Sequence, residues 1–240
     1  MSHGLTVLAA LVVGFYLLSF LLALGEKEHL AGDLLPADFS ALNWRSDYLA
    51  DRFQAAGQLG LVPCGDFFTS PHASIVKGPM RLFRTTDGEA IVALICARFL
   101  SLELKKTVVR TRISSECVIE TSDGTGLADI TGGIDRQTIL GATVEELLQA
   151  HRERLDRAQV KPERVSTEQA FRLYEKIDLE RGHRLVALGL ARWTDPAQTK
   201  IRRSFRGALL MVRANQAQRR KIVAEELSTR KKRGQNPDGE

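Results

Sequence analysis

The 240-residue chain is poor in cysteine and in aromatic residues, and it lacks the motifs that identify common enzymes. Its three cysteines, Cys64, Cys96 and Cys117, are an odd number without CxxC spacing, which argues against a disulfide framework and a zinc site. It contains no G-x-S-x-G nucleophile elbow, no G-K-S/T phosphate loop and no H-E-x-x-H pair of zinc ligands. The sequence therefore gives no positive indication of an enzyme, a metal site or a cofactor.

Charge is also absent from a long stretch near the start of the chain. Leu5–Gly25 is a run of 21 residues with no charged side chain. A helix of about 20 residues is long enough to cross the hydrocarbon layer of a bilayer. The sequence therefore predicts a single transmembrane helix within residues 1–25, with the lipid bilayer as its partner.

Two other interpretations of this run stay open. A cleavable signal peptide would give a secreted α+β protein, and Ala23-Leu24-Gly25 offers small residues at a cleavage site. However, residues 1–4 contain no Lys or Arg, and the apolar run exceeds the usual length of about 7–15 residues. A buried core helix is the third interpretation, and it would need apolar neighbours on every side.

The side of the membrane on which the rest of the chain lies is weakly indicated. The positive-inside rule compares basic residues at both ends of a span. Here Lys27 stands among acidic residues, and no Lys or Arg precedes the run. Because the cysteines do not suggest an oxidised framework, a cytoplasm-facing domain is favoured.

Residues after the apolar run predict a mixed α+β fold. "SDYLADRFQAAG" has helical spacing and is stopped by Gly57. "MRLFRTT" and "EAIVALICARFL" flank Asp87-Gly88, a pair typical of a tight hairpin, and the apolar run from 90 to 97 indicates a strand covered on both faces. With "LKKTVVRTRI", "ECVIETS" and a second Asp-Gly pair at 123–124, this part predicts an antiparallel β-meander of four to six strands packed with helices.

The last third of the chain is predicted to be mainly helical. T-x-x-E at Thr143 and S-x-x-Q at Ser166 are capping boxes that begin helices. Asp195-Pro196 predicts a third helix start, whereas "HRLVALGLARW" before it fits a helix or a strand. The boundaries we expect are an anchor over 1–25, a juxtamembrane linker over 26–42, the α+β domain over 43–160, a helical C-terminal part packed on it over 161–228, and a basic, disordered tail over 229–240.

Candidate sites for chemistry are few. Cys64 has Asp66 and His72 nearby in sequence, so a thiol activated by a base is conceivable, although sequence proximity does not establish contact. Asp123, Asp129 and Asp135 lie among glycines, but they lack the order of a calcium loop. Turn and loop chemistry explains these aspartates more simply.

The strongest feature after the apolar run is an uneven distribution of charge. Residues 1–150 contain 12 Lys and Arg against 17 Asp and Glu, whereas residues 151–240 contain 22 against 12. From Pro196 to Lys221 there is no acidic residue. The basic residues of this segment, which we call the basic segment, are Lys200, Arg202, Arg203, Arg206, Arg213, Arg219, Arg220 and Lys221.

The basic segment has a simple explanation as a solvated helix face and a second one as a contact for polyanions. Near a membrane anchor, anionic lipid headgroups would attract it, with each Lys or Arg contributing on the order of 1 kcal/mol. Nucleic acid is a poorer partner, because few aromatic residues accompany the charges. We therefore expect a single-pass membrane protein with a non-catalytic binding or scaffolding module; the alternative is a tethered enzyme with a site built from dispersed residues.

Overall fold

The computed structural model describes residues 2–25, 27–32, 34–38, 47–69, 78–99, 102–124 and 128–232. Side chains are described in these ranges except at 2–6, 8–12, 15, 69, 98–99, 102 and 225–232. The described residues form five helices, which are α1 (Ser2–Gly25), α2 (Asp47–Gln58), α3 (Val144–Ala158), α4 (Thr167–Ala187) and α5 (Phe205–Lys232). Two β-sheets accompany them, so the predicted mixed α+β content is confirmed.

The larger sheet has seven strands in the order β2-β3-β4-β5-β6-β7-β8. Its strands are β2 (Leu34–Pro36), β3 (Val62–Thr69), β4 (Pro79–Arg84), β5 (Ile91–Phe99), β6 (Leu102–Arg112), β7 (Val118–Ser122) and β8 (Ile134–Thr138). Neighbouring strands from β2 to β7 are antiparallel, whereas β8 runs parallel to β7. The antiparallel part confirms the predicted meander, and the parallel strand at its edge departs from it.

Helices cover both faces of this sheet. Alternate residues of β5 point to opposite sides, so Val92 and Leu94 belong to the core beneath α2 and α3, while Ile91 and Ala93 belong to the core beneath α4. This arrangement confirms the prediction that the strand around residues 90–97 is buried on both faces. The sheet is therefore the middle layer of three.

Local signals in the sequence gave the correct local structure at several positions. Gly88 has a φ of 75°, and Thr85 and Gly88 close the predicted turn between β4 and β5. The capping box of α3 is present, with Thr143 Oγ1 accepting from Glu146 N at 3.2 Å and Glu146 Oε2 accepting from Thr143 N at 2.8 Å. Ser166 and Gln169 form the corresponding box at α4.

The helix predicted to begin at Asp195-Pro196 is wrong. The Asp195 carboxylate accepts hydrogen bonds from the backbone N–H groups of Thr199 and Lys200, which closes a loop instead of capping a helical turn. Strands β9 (Ala191–Trp193) and β10 (Lys200–Arg203) flank this loop, and α5 begins after it. The ambiguous segment before it is divided, because α4 continues to Ala187 and β9 follows.

A second sheet, β1-β10-β9, joins distant parts of the chain. Strand β1 (Lys27–His29) pairs with β10, so two strands, β1 and β2, lie within the expected linker over residues 26–42. The side chain of Glu28 forms ion pairs with Arg181 of α4 and Arg203 of β10. Burial opposes ionisation of Glu28, but the two guanidinium groups hold the pKa of this carboxyl below its ordinary value.

Helix α1 ends against the second sheet and the start of α5. Arg202 Nε donates to the carbonyl oxygen of Leu24 at 3.0 Å, and the rings of Phe20 and Phe205 meet edge to face at 4.9 Å. The helix expected over Leu5–Gly25 is therefore present and has contacts at its C-terminal end. Among the residues described by the structure, no helix is both long enough and apolar enough to cross a membrane, so the transmembrane span stays a prediction.

A glycine allows α5 to approach the small sheet closely. A side-chain carbon added at Gly207 would overlap the carbonyl oxygen of Leu190. Ser204 N donates to the same oxygen at 2.9 Å, which fixes the position of this carbonyl. We expect Gly207→Ala to push α5 away from β9 and to lower the free energy of unfolding by about 1–3 kcal/mol, as measured by urea denaturation.

The control for this substitution is Gly57→Ala in α2. No atom lies within 4 Å of the carbon added there. The alanine should leave the urea midpoint unchanged or raise it, since alanine favours a helix by up to about 1 kcal/mol over glycine. A Gly207→Ala protein as stable as the Gly57→Ala protein would contradict the close packing of α5.

Candidate functional site

A buried charge network crosses three neighbouring strands of the large sheet. Register places Arg110 of β6 and Arg136 of β8 on either side of Glu120 in β7. Arg110 Nε lies 2.9 Å from Glu120 Oε2, and Arg136 Nε lies 2.6 Å from Glu120 Oε1. Lys106 lies four residues before Arg110 in β6, and its Nζ is 3.7 Å from Glu120 Oε1. The Glu120 side chain is fully buried, so these cations are its counter-charges.

The network keeps its charges although it is removed from water. Burial alone would favour protonated Glu120, but Arg110, Arg136 and Lys106 lower the pKa of this carboxyl far below its ordinary value. Arg110 also lies 3.5 Å from Asp178 and 4.6 Å from the ring centroid of Tyr174, both on α4. Burial raises the pKa of Tyr174 to about 12, so the phenol is neutral beside these charges.

The opposite face of the same strands contains a buried histidine. His151 of α3 is 1% exposed. Its Nε2 lies 2.8 Å from Thr111 Oγ1, and its Nδ1 lies 3.0 Å from Thr121 Oγ1. Burial and the nearby Arg154 lower the pKa of His151 to about 3. The imidazole is therefore neutral at ordinary pH and connects β6 to β7 through two hydroxyl groups.

Arg154, one turn further along α3, fixes the edge of the sheet. Its Nη1 donates to the carbonyl oxygen of Glu120 at 2.5 Å and to Thr121 Oγ1 at 2.9 Å. Its Nη2 donates to the carbonyl oxygen of Asp135 at 2.8 Å and pairs with the Asp135 carboxylate at 2.8 Å. The guanidinium group of Arg154 is thus held rigidly beside strand β8.

A cleft of about 260 Å³ lies where β8, α3 and α5 converge. Among the described residues, nine line it, of which four are cationic, one is a carboxylate and one is apolar. We call it the cationic cleft, and its residues are Asp135, Arg136, Gln137, Thr138, Arg154, Arg157, Gln218, Lys221 and Ile222. An arrangement of guanidinium, ammonium, amide and hydroxyl donors can bind an anion.

The structure separates the residues of the basic segment. Lys200, Arg202 and Arg203 lie on strand β10, and Arg203 is buried with Glu28. The other five lie exposed on α5 and are Arg206, Arg213, Arg219, Arg220 and Lys221. Of all eight residues, Lys221 alone lines the cationic cleft. The segment is therefore not one continuous helix face, and contact of its exposed members with lipid or another polyanion stays a prediction.

The other candidate residues do not come together. Cys64 is half-buried, its Sγ donates to the carbonyl oxygen of Val62 at 3.5 Å, and burial raises the pKa of the thiol, which disfavours the nucleophilic thiolate. Its proposed partner His72 lies outside the described residues. No group of three or more metal-binding side chains occurs in the part of the chain that the structure describes.

Each of the three aspartates instead forms ion pairs or hydrogen bonds with different nearby residues. Asp123 pairs with Arg52 at 3.2 Å, and Asp135 pairs with Arg154. Asp129 accepts hydrogen bonds from Thr131 and from the backbone N–H of Ile134, which shapes the loop before β8. Asp123 and Asp129 lie in turns or loops, as the simpler interpretation expects, whereas Asp135 lies in strand β8.

Sequence reasoning missed both the buried charge network and the residues of the cleft beside it. Arg110 interrupts the β-branched run "TVVRT", and Glu120 interrupts "VIET". A charged residue inside a buried strand needs a partner, so these interruptions were an available signal. Arg136, Arg154 and Arg157 gave no comparable signal, because they occur in polar sequence.

Comparison with known proteins identified no relative of this chain. No protein-family model matches the chain, and neither a curated protein nor a solved structure matches it.

Proposed function

We propose that this chain is a single-pass membrane-anchored protein whose folded part is a non-catalytic binding module at the bilayer surface. The observation that carries the proposal is the uncharged sequence from Leu5 to Gly25. Six apolar side chains of α1 are more than half exposed, namely Val7, Val13, Leu17, Leu18, Leu21 and Leu22. An apolar surface of this kind needs a non-aqueous neighbour, and the hydrocarbon of a bilayer supplies one.

The connection between α1 and the domain supports a fixed position beside the membrane. Only Glu26 separates α1 from β1. Glu28 is then held by Arg181 and Arg203, and Arg202 donates to the last turn of α1. A domain joined in this way stands directly at the end of the helix.

The proposed domain binds a ligand without transforming it. The cationic cleft offers hydrogen-bond donors, and Asp135, the one carboxylate in its described lining, is paired with Arg154. We further propose that the domain faces the cytoplasm, where the free thiols of Cys64, Cys96 and Cys117 would remain reduced.

Membrane fractionation with an alkaline wash tests the attachment. The full chain with a C-terminal tag should sediment with membranes and resist extraction at high pH. Protease added to sealed vesicles of known orientation then reports the side of the tag. Recovery of the full chain in the wash would overturn the proposed anchor.

Charged substitutions on the exposed side of α1 make this test specific. Val13 and Leu17 lie one helical turn apart and are 66% and 57% exposed, so arginine at both positions should disturb little packing within the described part of the protein. We expect Val13→Arg with Leu17→Arg to release the chain, because arginine at mid-bilayer costs about 2.5–3.5 kcal/mol per residue.

The matched control places the same charges on the folded domain. Leu140 and Leu188 are 46% and 53% exposed and lie outside α1. Leu140→Arg with Leu188→Arg should sediment like the unmodified chain. Equal release of both variants would show that added charge, and not loss of hydrocarbon contact, detaches the protein.

A further inference from the structure

We propose that the cationic cleft binds a phosphate group carried as a dianion, either free or as a phosphomonoester. This proposal rests on the role of the cleft as the binding site of the module, but it does not depend on the membrane anchor. The cleft is a site assembled from three elements that are far apart in sequence. Strand β8, helix α3 and helix α5 each contribute at least one cation.

The cations at the base of the cleft are held in place before any ligand arrives. The side chains of Arg136 and Arg154 are 12% and 9% exposed, respectively. Arg136 is fixed by Glu120, and Arg154 is fixed by two backbone carbonyl groups and the Asp135 carboxylate. Because their side chains are already ordered, binding an anion costs little further conformational entropy.

The cations at the rim of the cleft are exposed. Arg157 lies on the last turn of α3 and Lys221 lies on α5. Each can approach an anion from a different side, since they project from separate helices. Two ordered guanidinium groups and two exposed cations suit a ligand with two negative charges and several acceptor oxygens.

The open edge of β8 adds neutral donors. Gly133 O and Ile139 N bond to β7, so alternate residues of β8 direct their backbone groups away from β7. Of these, Ile134 N already donates to Asp129, which leaves Arg136 and Thr138 to face the cleft. Strand β8 is the last of its sheet, and no strand covers this side among the described residues. Thr138 Oγ1 is also buried without a hydrogen-bond partner in the described part of the chain. A phosphate oxygen would satisfy such donors.

The composition of the cleft selects against other ligands. No aromatic side chain is among the described residues that line it, so these residues offer a nucleobase no stacking surface. Ile222 is the one apolar residue in the described lining, so an acyl chain or an aromatic ring would lie mainly against polar groups. The lining of the cleft therefore favours a compact, highly charged ligand that forms many hydrogen bonds.

Two sources could supply this group: a soluble phosphate compound or the headgroup of a phosphomonoester lipid. Lys221 lies about 24 Å along α5 from Phe205, where α5 meets α1. A lipid headgroup therefore reaches the cleft only if α5 runs along the bilayer surface. The experiment has one arm for each source.

The first arm is calorimetric titration of inorganic phosphate into the full chain in neutral detergent micelles at low ionic strength. We expect saturable binding that weakens about ten-fold in the double variant Arg157→Gln with Lys221→Gln. Both residues are exposed, so the variant should retain the helical content and thermal unfolding of the unmodified protein. Absence of saturable binding in both arms would overturn the proposal.

The control removes two exposed cations outside the cleft, Arg152 of α3 and Arg192 of β9. Arg152→Gln with Arg192→Gln makes the same change in net charge, and it should leave the affinity within about two-fold. Equal weakening in both double variants would overturn the proposal, because it would show general attraction by a basic surface.

The second arm uses the full chain in nanodiscs of phosphatidylcholine, with or without phosphatidic acid. Loss of phosphate binding in the discs that contain phosphatidic acid, dependent on Arg157 and Lys221, supports the lipid source. Unchanged binding supports a soluble source. The micelle titration does not require an anchor and the fractionation does not require a cleft, so the two proposals fail separately.

Discussion

Replacing Glu120 by alanine should lower the free energy of unfolding by about 3–5 kcal/mol. Glu120 is the shared counter-charge of Arg110 and Arg136, and its side chain is fully buried. Without this carboxylate, two guanidinium groups remain inside the protein beside the ammonium group of Lys106. The decrease in the free energy of unfolding is measured by urea denaturation in micelles at neutral pH, with far-ultraviolet circular dichroism as the signal.

Glu116→Ala is the matched control for this experiment. Glu116 is exposed in the turn between β6 and β7, four residues before Glu120. Its removal should change the free energy of unfolding by no more than about 0.5 kcal/mol. If Glu120→Ala is too unstable to purify, Glu120→Gln should give a smaller loss in the same direction. A Glu120→Gln protein as stable as the unmodified one would contradict the network.

The second large effect is a dependence of stability on pH that originates at His151. Burial lowers the pKa of His151 to about 3, whereas an unfolded histidine titrates near 6.5. Between these values the unfolded chain binds a proton that the folded chain excludes. Stability therefore falls as the pH falls below about 6.5, at about 1.4 kcal/mol per pH unit once the unfolded histidine is protonated.

The interval from about pH 6.5 to 5 isolates this contribution. The carboxyl groups of Glu28, Asp87 and Glu120 have lowered pKa values, so their stabilising charge is lost only further into the acid range, below their unfolded pKa values. His151→Gln should abolish much of the slope in this interval, whatever its effect on absolute stability. His183→Gln, which changes an exposed histidine, should keep it.

A His151→Gln protein whose urea midpoint retains the full slope between pH 6.5 and 5 would contradict the buried neutral imidazole. The geometry gives a physical reason for the expected result. A neutral imidazole has one N–H group, so it donates to one threonine hydroxyl and accepts from the other. A second proton would require Thr121 Oγ1, which already accepts from Arg154, to accept from the imidazole as well, and it would place a buried positive charge beside that guanidinium group.

The parts of the fold that could be predicted from sequence are those determined by adjacent residues. The turn at Asp87-Gly88 and the capping boxes at Thr143 and Ser166 depend on contacts within a few residues. Strands β4 to β7 also follow, because each is apolar or β-branched enough to be recognised alone. Helix α2 ends one residue beyond the predicted glycine stop.

The missed strands depend on distant partners or on broken patterns. Strand β8, "IDRQT", is mostly polar and is stabilised by register with β7 and by Arg154. In β3, the positive φ of Gly65 accompanies a bulge that interrupts the alternation. Strand β1 has three residues and pairs with β10 near the other end of the chain.

The candidate site was unpredictable for a related reason. A one-residue shift of β7 would place Glu120 on the opposite face, away from Arg110 and Arg136. The position of Glu120 therefore depends on the register of β7 with its antiparallel neighbour β6 and its parallel neighbour β8. The many basic residues in the last third of the chain did indicate an anion-binding surface. The structure uses them in different places, however, with Arg203 in a buried ion pair and Lys221 in the wall of the cleft.

The short ladder between β1 and β10 determines how the protein would respond to mechanical force. A pull along α1 would load Lys27–His29, where each backbone pair is sheared together with the ionic contacts of Glu28. The same load passes through Arg203 into the first turn of α5, whose far portion forms one wall of the cleft. In the proposed membrane-anchored protein, tension on α1 would thus reach the helix that carries Lys221.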